Sequence, residues 1–251
     1  MFDLLRARFR HGYQAVKNIR TAVVHERYRG FPVIANEQSV DLAECAKVCP
    51  GNALDPASAS IDIGRCVFCN ECARQSNGGI RFTNFHKTAA GSRDRLIIKQ
   101  GTTAKEYIET AASVNKIIRS LFGRSIKLRS VSAGGCNACE LELTACGNVN
   151  FDMGRFGIDI VASPRHADGI IITGPISENM SSALQDTYHA IPEPKIVIAM
   201  GTCAISGGLF SGSPAIDRSF LSSVNVDLFI PGCPPHPLTV INGLLDLIGR
   251  K

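Results

Sequence analysis

From residue 126 onward the chain alternates short apolar runs with amphipathic stretches. The runs at 126–131, 158–162, 170–173, 196–200 and 226–230 are rich in isoleucine and valine, and helical spacing of apolar residues fills 138–146, 178–189 and 238–247. Such alternation predicts a parallel sheet with helices on both faces. Residues 31–85 read differently, as short elements separated by small and turn-forming residues, with no long helix. Residues 86–125 are polar, and a helical period over 103–121 predicts a connecting helix. At the N-terminus, Phe2, Leu5, Phe9, Tyr13, Val16 and Ile19 recur at steps of three or four while Arg6, Arg10, Lys17 and Arg20 lie mostly off that face. That pattern predicts an amphipathic helical arm. The expected organisation is therefore an arm over 1–30, a small domain over 31–85, a connecting segment over 86–125 and an α/β domain over 126–251.

Composition narrows the class. The chain has 251 residues, is 45% hydrophobic and 20% charged, and has a mean hydropathy of +0.07. These values exclude a disordered, collagenous or coiled-coil chain. The N-terminal stretch interleaves arginines with apolar residues and has no apolar h-region, so no signal peptide is expected. No apolar run approaches the roughly 18 residues that a membrane span needs. Ten cysteines in such a chain point to bound metal rather than disulfides.

The net charge of +5 is local. Residues 1–30 carry seven basic residues against Asp3 and Glu26, and the remaining residues balance. A basic amphipathic arm suits an anionic membrane surface or a partner subunit. The plainer alternative is a terminal helix packed on its own domain. Nucleic-acid binding is not expected, because the run of basic residues stops at Arg29 and no basic, aromatic-studded sheet follows.

Five of the cysteines carry a broken two-cluster pattern. Bacterial ferredoxins bind cubanes through C-x2-C-x2-C-x3-C-P, in which the fourth cysteine ligates the other cluster. Here Cys66, Cys69 and Cys72 keep the spacing, but Ser76 stands at the fourth position. Counting back from Cys49-Pro50 gives Cys45, Leu42 and Ser39 at the other three. One ligand set, Cys49, Cys66, Cys69 and Cys72, is complete. The other reads Ser39, Leu42, Cys45 and Ser76 and cannot hold a cubane. A zinc site is the alternative for C-x2-C-x2-C, but Pro50 and the ferredoxin spacing favour iron. Cys45 is expected to be a small buried hydrophobe.

Four more cysteines follow predicted strands. Cys136 and Cys139 (G-G-C-N-A-C-E) come after the strand at 126–131, Cys203 (G-T-C-A-I-S-G-G) after 196–200, and Cys233 (P-G-C-P-P-H-P) after 226–230. Ligands of open α/β sheets bind beyond the carboxyl ends of the strands, so these four predict a second 4Fe-4S cluster. Cys146 is expected to be buried and unligated. Glu140, beside the predicted cluster, is a candidate proton carrier, or simply a carboxylate in the first turn of a helix. Arg165 and His166 are candidates for tuning the cluster's potential or contacting a partner, or are plain loop residues. His236 is expected to be structural.

The stretches G-G-C-N-A-C-E-L-E-L, S-P-R-H-A-D, G-T-C-A-I-S-G-G and P-G-C-P-P-H-P resemble the small, electron-transferring subunit of energy-converting nickel-iron hydrogenases of the formate hydrogenlyase type, a group related to respiratory complex I. That resemblance implies a flavodoxin-like domain whose proximal cluster is held by Cys136, Cys139, Cys203 and Cys233. The homologous complex I subunit carries adjacent cysteines in its first motif, so the spaced C-x2-C favours hydrogenase. Residues 27–85, opening with R-Y-R-G-F-P, resemble the polyferredoxin subunit of the same complexes. The chain departs from both patterns by joining two subunits and by keeping the ligands of one ferredoxin cluster. No nickel-binding motif is present, so hydrogen chemistry is expected in another chain.

The expectation is an α/β protein in which a ferredoxin-like α+β iron-sulfur domain precedes a flavodoxin-like doubly wound sheet, with two 4Fe-4S clusters and no substrate of its own. Its expected partners are a nickel-iron hydrogenase-type large subunit, integral membrane subunits and a soluble electron donor or acceptor, and its expected location is the cytoplasmic face of the cell membrane. The nearest alternative is a complex I-like quinone-reducing subunit without nickel chemistry. A structural zinc protein with a basic arm is the reading of a different class.

Overall fold

The computed structural model describes residues 2–12, 14–36, 40–111 and 116–250. In chain order, the first half contains α1 (Phe2–His11), β1 (Pro32–Ile34), α2 (Leu42–Lys47), β2 (Leu54–Asp55), β3 (Ser60–Asp62), α3 (Glu71–Gln75), β4 (Ile80–Phe82), β5 (Ile97–Lys99), α4 (Ala104–Ala111) and α5 (Lys116–Phe122). The second half contains β6 (Ile126–Ser132), α6 (Ala138–Cys146), β7 (Ile158–Ile160), β8 (Gly169–Thr173), α7 (Glu178–Ala190), β9 (Ile196–Met200), α8 (Thr202–Ser206), α9 (Ser219–Ser223), β10 (Leu228–Ile230) and α10 (Pro237–Leu247).

The second half is a doubly wound α/β fold. Its five parallel strands lie in the order β10-β9-β8-β6-β7, the flavodoxin-like order. The central strands β8 and β9 are buried at every position, and so they read as unbroken apolar runs in the sequence. One face packs on α5, α6 and α10 through Phe122, Leu143, Leu244 and Ile248. The other packs on α7 and α9 through Leu184 and Phe220.

The first half pairs β1 with β4 and β2 with β3, both antiparallel, with α2 and α3 packed together. One strand was not expected. β5 falls inside the predicted connecting segment, yet it pairs antiparallel with β3 and buries Ile98 while exposing Ile97. The small unit therefore runs through Lys99 rather than ending at residue 85. Only Leu96, Ile97 and Ile98 mark that strand, too short an apolar run to stand out from a polar stretch. The predicted helix over 103–121 is present as α4 and α5; residues 112–115, with Val114 among them, lie outside the described residues.

The arm also departs from its pattern. α1 stops at His11, and Gly12 takes a left-handed φ of +62°. Beyond it the chain lies along the second half: Ile19 is buried in its core with Val16, Ala22 and Val24 packed beside it. Arg20 donates to Asn242 and pairs with Asp246 at 2.6 Å. Burial against this core overrides the helical period. Tyr13 lies outside the described residues, whereas Phe2, Leu5 and Phe9 on α1 are exposed.

Both halves contribute to one core. Ala199, Ala204 and Ile205 of the parallel-sheet unit pack with Phe31, Ile63, Cys66 and Leu96 of the small unit. Ala90 forms an antiparallel bridge with Phe229 on β10. The Thr202 hydroxyl reaches the carbonyls of Cys66 at 2.8 Å and Gly232 at 3.1 Å. An unpaired buried acceptor costs about 1–3 kcal/mol. Thr202→Val should therefore lower the thermal midpoint by about 2–4 °C per kcal/mol lost, and Thr202→Ser should restore it. An unchanged midpoint in the valine variant would show that this contact adds nothing to stability.

Candidate functional site

Eight of the ten cysteines gather into two sets, one on each side of the shared core. In the small unit, Cys49 follows α2, Cys72 lies in α3, and Cys66 and Cys69 lie on the loop between β3 and α3. Cys66 and Cys72 each feel the charge of Cys49 and Cys69, and Cys66 also feels Cys72. The loop is curled by Phe68 and Asn70, both in left-handed conformations (φ +54° and +75°). Two backbone N–H groups already address the sulfurs: Ala53 donates to Cys49 Sγ and Phe68 to Cys66 Sγ, each at 3.3 Å. Arg29, from R-Y-R-G-F-P, donates to the Phe68 carbonyl at 2.6 Å and ties the loop down.

The second set lies at the carboxyl edge of the parallel sheet. Cys136 and Cys139 follow β6, Cys203 sits on α8 just after β9, and Cys233 follows β10. Cys139 feels the charges of Cys203, Cys233 and Cys136, and Cys203 those of Cys233 and Cys136. Asn137 repeats the device at Asn70: an asparagine directly after a cysteine, left-handed at φ +68°, just before a helix. Asparagine tolerates that conformation better than most residues. Cys136 and Cys233 are exposed, and Cys139 and Cys203 are half-buried.

All ten cysteines are free thiols. Burial pushes the Cys72 and Cys139 thiols up to about 12 and Cys203 to about 11, and the neighbouring thiols add to the effect. Cys66 is raised for the same reason. Anionic sulfur is therefore strongly disfavoured at these positions unless positive charge accompanies it, and bound iron provides such charge. Among the described residues no group of three or more His, Cys, Asp or Glu is gathered closely enough to hold a single metal ion. The thiols are thus set wider than the ligands of one ion.

Between the two sets lies a cavity of about 240 Å³ lined by Arg27, Tyr28, Arg29, Val67, Phe68 and Gly232–Pro234. It borders Cys233 on one side and the Cys66–Cys69 loop on the other. Arg27 and Arg29 both belong to the R-Y-R-G-F-P stretch and to the basic arm, but neither was a candidate site residue in the sequence.

The other two cysteines are occupied elsewhere. Cys45 is 1% exposed and directs its thiol to the Cys72 carbonyl at 3.6 Å. Cys146 is fully buried and bonds to the Glu142 carbonyl at 3.2 Å. Leu42 is buried in the shared core, and Ser76 accepts from the Ile80 N–H at 2.8 Å while donating to the Ala73 carbonyl. Ser39 lies outside the described residues.

Glu140 accepts a 2.6 Å bond from the Thr173 hydroxyl. Burial opposes its ionisation, but the Ser132 and Thr173 hydroxyls outweigh burial and hold the carboxyl below its ordinary range. Such a group is a fixed anion near neutral pH. Arg165 and His166 are exposed on the turn before β8, which packs beside α7, and the structure ties neither to a cysteine. His236 caps α10, its Nδ1 accepting from the Leu238 N–H at 3.1 Å, and its ring meets Tyr28 and Phe151 edge-on.

Residues 136–247 match the family described as the 20 kDa subunit of NADH ubiquinone oxidoreductase. That segment starts at Cys136 and contains all four cysteines of the second set. The chain is 39% identical to a probable membrane-bound hydrogenase subunit of Pyrococcus furiosus, over 49% of this chain and 74% of that one. It is 38% identical to formate hydrogenlyase subunit 7 of Escherichia coli, over 63% of this chain and 61% of that one. It is 43% identical to an NADH-quinone oxidoreductase subunit of Heliobacterium modesticaldum, over 46% of this chain and 66% of that one.

Gly201 leaves no room for a side chain. Its φ of +89° with ψ of 154° belongs to glycine, and an added Cβ would lie 2.5 Å from Cys139 Sγ. Gly201→Ala should lower the thermal midpoint, with about 1–3 kcal/mol from the backbone alone. Gly212→Ala, where a Cβ meets nothing within 4 Å, should leave it unchanged. Equal midpoints for the two variants would overturn the packing argument.

Proposed function

The chain belongs to the family of the 20 kDa subunit of NADH ubiquinone oxidoreductase, and on that basis we propose that it is the electron-transferring subunit of a membrane-associated nickel-iron hydrogenase complex. The observation that carries this reading is the gathering of Cys136, Cys139, Cys203 and Cys233 from three strand ends onto one edge. A second complete set abuts it through the Thr202–Cys66 contact. Each set would hold one 4Fe-4S cluster, that of Cys136, Cys139, Cys203 and Cys233 in a flavodoxin-like domain and that of Cys49, Cys66, Cys69 and Cys72 in a ferredoxin-like domain. Bound there, the clusters supply one-electron transfer at potentials set by charge, burial and N–H···S bonds.

The protein's own residues keep the path fixed. Thr202 and the shared core hold the two ligand loops in one register, and the N–H groups of Ala53 and Phe68 stabilise anionic sulfur. Exposed Leu141, Leu209 and Phe210 flank Cys139 and Cys203 and offer an apolar rim to a catalytic large subunit. Integral membrane subunits and a soluble electron donor or acceptor complete the proposed partners. Among the described residues no helix is long and apolar enough to cross a membrane. The exposed α1, with Phe2, Leu5 and Phe9 beside Arg6 and Arg10, would lie on an anionic cytoplasmic membrane face.

The second reading is a quinone-reducing complex without nickel chemistry, favoured by the similarity to the NADH-quinone oxidoreductase subunit of Heliobacterium modesticaldum. The spaced C-x2-C of Cys136 and Cys139 supports hydrogenase instead. Hydrogen-dependent dye reduction by the purified complex decides between them.

Anaerobically purified protein should be brown and hold about eight irons as two cubanes. Cys69→Ala should remove about half of them and leave the spectrum of the other cluster intact, whereas Cys45→Ser should leave the iron content unchanged. Colourless protein with stoichiometric zinc would overturn the electron-transfer reading, and about twelve irons would overturn the single-cluster assignment of the small unit.

Deleting residues 2–11 should release the complex from anionic vesicles while keeping its iron. A longer deletion would remove Ile19 and Arg20 and damage the fold. Unchanged vesicle binding would show that the arm is not the membrane contact.

A further inference from the structure

The loop carrying Cys203 is gripped by a cation. Arg218, the residue preceding α9, turns back beneath α8. Its Nη1 donates to the carbonyls of Pro175 at 3.3 Å and Cys203 at 3.1 Å, and its Nη2 to those of Ala204 at 2.8 Å and Ile205 at 2.9 Å. Three of the four acceptors belong to α8 itself. The last carbonyls of a helix lack partners within it, and the five-residue α8 has few internal bonds to spare. A planar guanidinium, with five donors in a fixed fork, suits several carbonyls at once.

Carbonyl bonds satisfy the donors of Arg218 but leave its charge without an opposite. Among the described residues, the ion pairs within 4.0 Å join other residues. The adjacent Asp217 is engaged elsewhere, accepting from the Ser181 hydroxyl at 2.5 Å and from the Ser219 N–H at 2.9 Å. Arg93, the nearby cation that acts on Arg218, is paired with Asp62. The Nη1 of Arg218 is held on the Cys203 carbonyl at 3.1 Å, which places the guanidinium within one residue's reach of the Cys203 sulfur. A half-buried cation held on the backbone of Cys203, with no carboxylate paired to it among the described residues, suits an anionic group in the same place.

We propose that Arg218 is a positioning residue that holds the Cys203 loop and also supplies the fixed positive charge facing the metal group bound by Cys136, Cys139, Cys203 and Cys233, thereby raising that group's reduction potential. This rests on the cluster assignment above. A cubane with four thiolate ligands is anionic, and the electron it takes from its donor adds one negative charge. A cation held nearby stabilises the reduced form more than the oxidised form, so reduction becomes easier. The charge of Arg218 does not titrate in the accessible range, so its effect is independent of pH.

Two variants separate charge from scaffold in the iron-loaded full chain. Arg218→Gln removes the charge and keeps some hydrogen bonding, whereas Arg218→Lys keeps the charge and loses the fork. The readout is iron content together with the midpoint potential of each cluster in a redox titration followed by electron paramagnetic resonance. The glutamine variant should keep its iron and shift the Cys203-linked midpoint negative by about one decade of the reduction equilibrium, ~59 mV for one electron. The Cys49-linked cluster should not move, and the lysine variant should return near the wild-type value. Loss of the cluster in glutamine but not in lysine also supports the charge role.

Unshifted midpoints in both variants would overturn the proposal. Equal shifts in both, or loss of the cluster from both, would assign Arg218 to loop geometry alone. Wild-type protein without iron at the Cys203 set would instead refute the cluster assignment, and this proposal with it.

Discussion

The carboxyl edge of the parallel sheet is arranged around the cost of taking sulfur out of water in anionic form. The Cys139 and Cys203 thiols lie where burial pushes them up to about 12 and about 11, so the apoprotein holds them protonated, and any group they ligate must bring positive charge. The surrounding residues follow from that requirement. Gly201 is glycine because the Cys139 sulfur occupies the space its side chain would need. Asn137 turns the chain immediately after Cys136, so that Cys139 enters α6 facing the same edge. Arg218 donates to three α8 carbonyls, that of Cys203 among them. Each of these residues is explained by how it holds a cysteine-bearing loop.

The same reasoning joins the halves. Under the proposed assignment the two sets of thiols serve one path only if their separation is fixed, and a flexible linker would not fix it. The chain instead runs one hydrophobic core through both units, with Ala204 and Ile205 of the Cys203 helix packed among residues that include Cys66. Thr202 lies beside Cys203 and bonds to the carbonyl of Cys66, so neighbours of two ligands are linked directly. The Ala90–Phe229 bridge extends the parallel sheet into the connecting segment. The predicted division at residue 85 was too sharp for such a structure.

Sequence patterns carried the sheet well because β8 and β9 are buried on both faces and therefore have no polar positions to confuse the pattern. The span of α6 was legible from the helical spacing of its apolar residues over 138–146. The arm was misread beyond His11, since the spacing of Val16 and Ile19 suits a helix as well as it suits a segment lying on the α10 side of the core. Only tertiary contact distinguishes the two. Arg218 left no mark at all: a single arginine in A-I-D-R-S-F has no spacing to read, and its contacts arise from a fold that brings its side chain to the α8 carbonyls.

At the described positions of the incomplete ligand set, packing and backbone bonds take up the side chains. Leu42 is buried, and Cys45 is sealed beside Cys72 with its thiol on a backbone carbonyl. Ser76 spends its hydroxyl on Ala73 and Ile80, closing the turn into β4. A buried leucine contributes roughly 1.5–3 kcal/mol relative to an exposed one, so Leu42 stabilises the small unit by packing alone. Restoring cysteine at Leu42 and Ser76 would open that packing before it created a site. Under the proposed assignment the small unit holds one cluster, and Leu42 and Cys45 belong to its packed core.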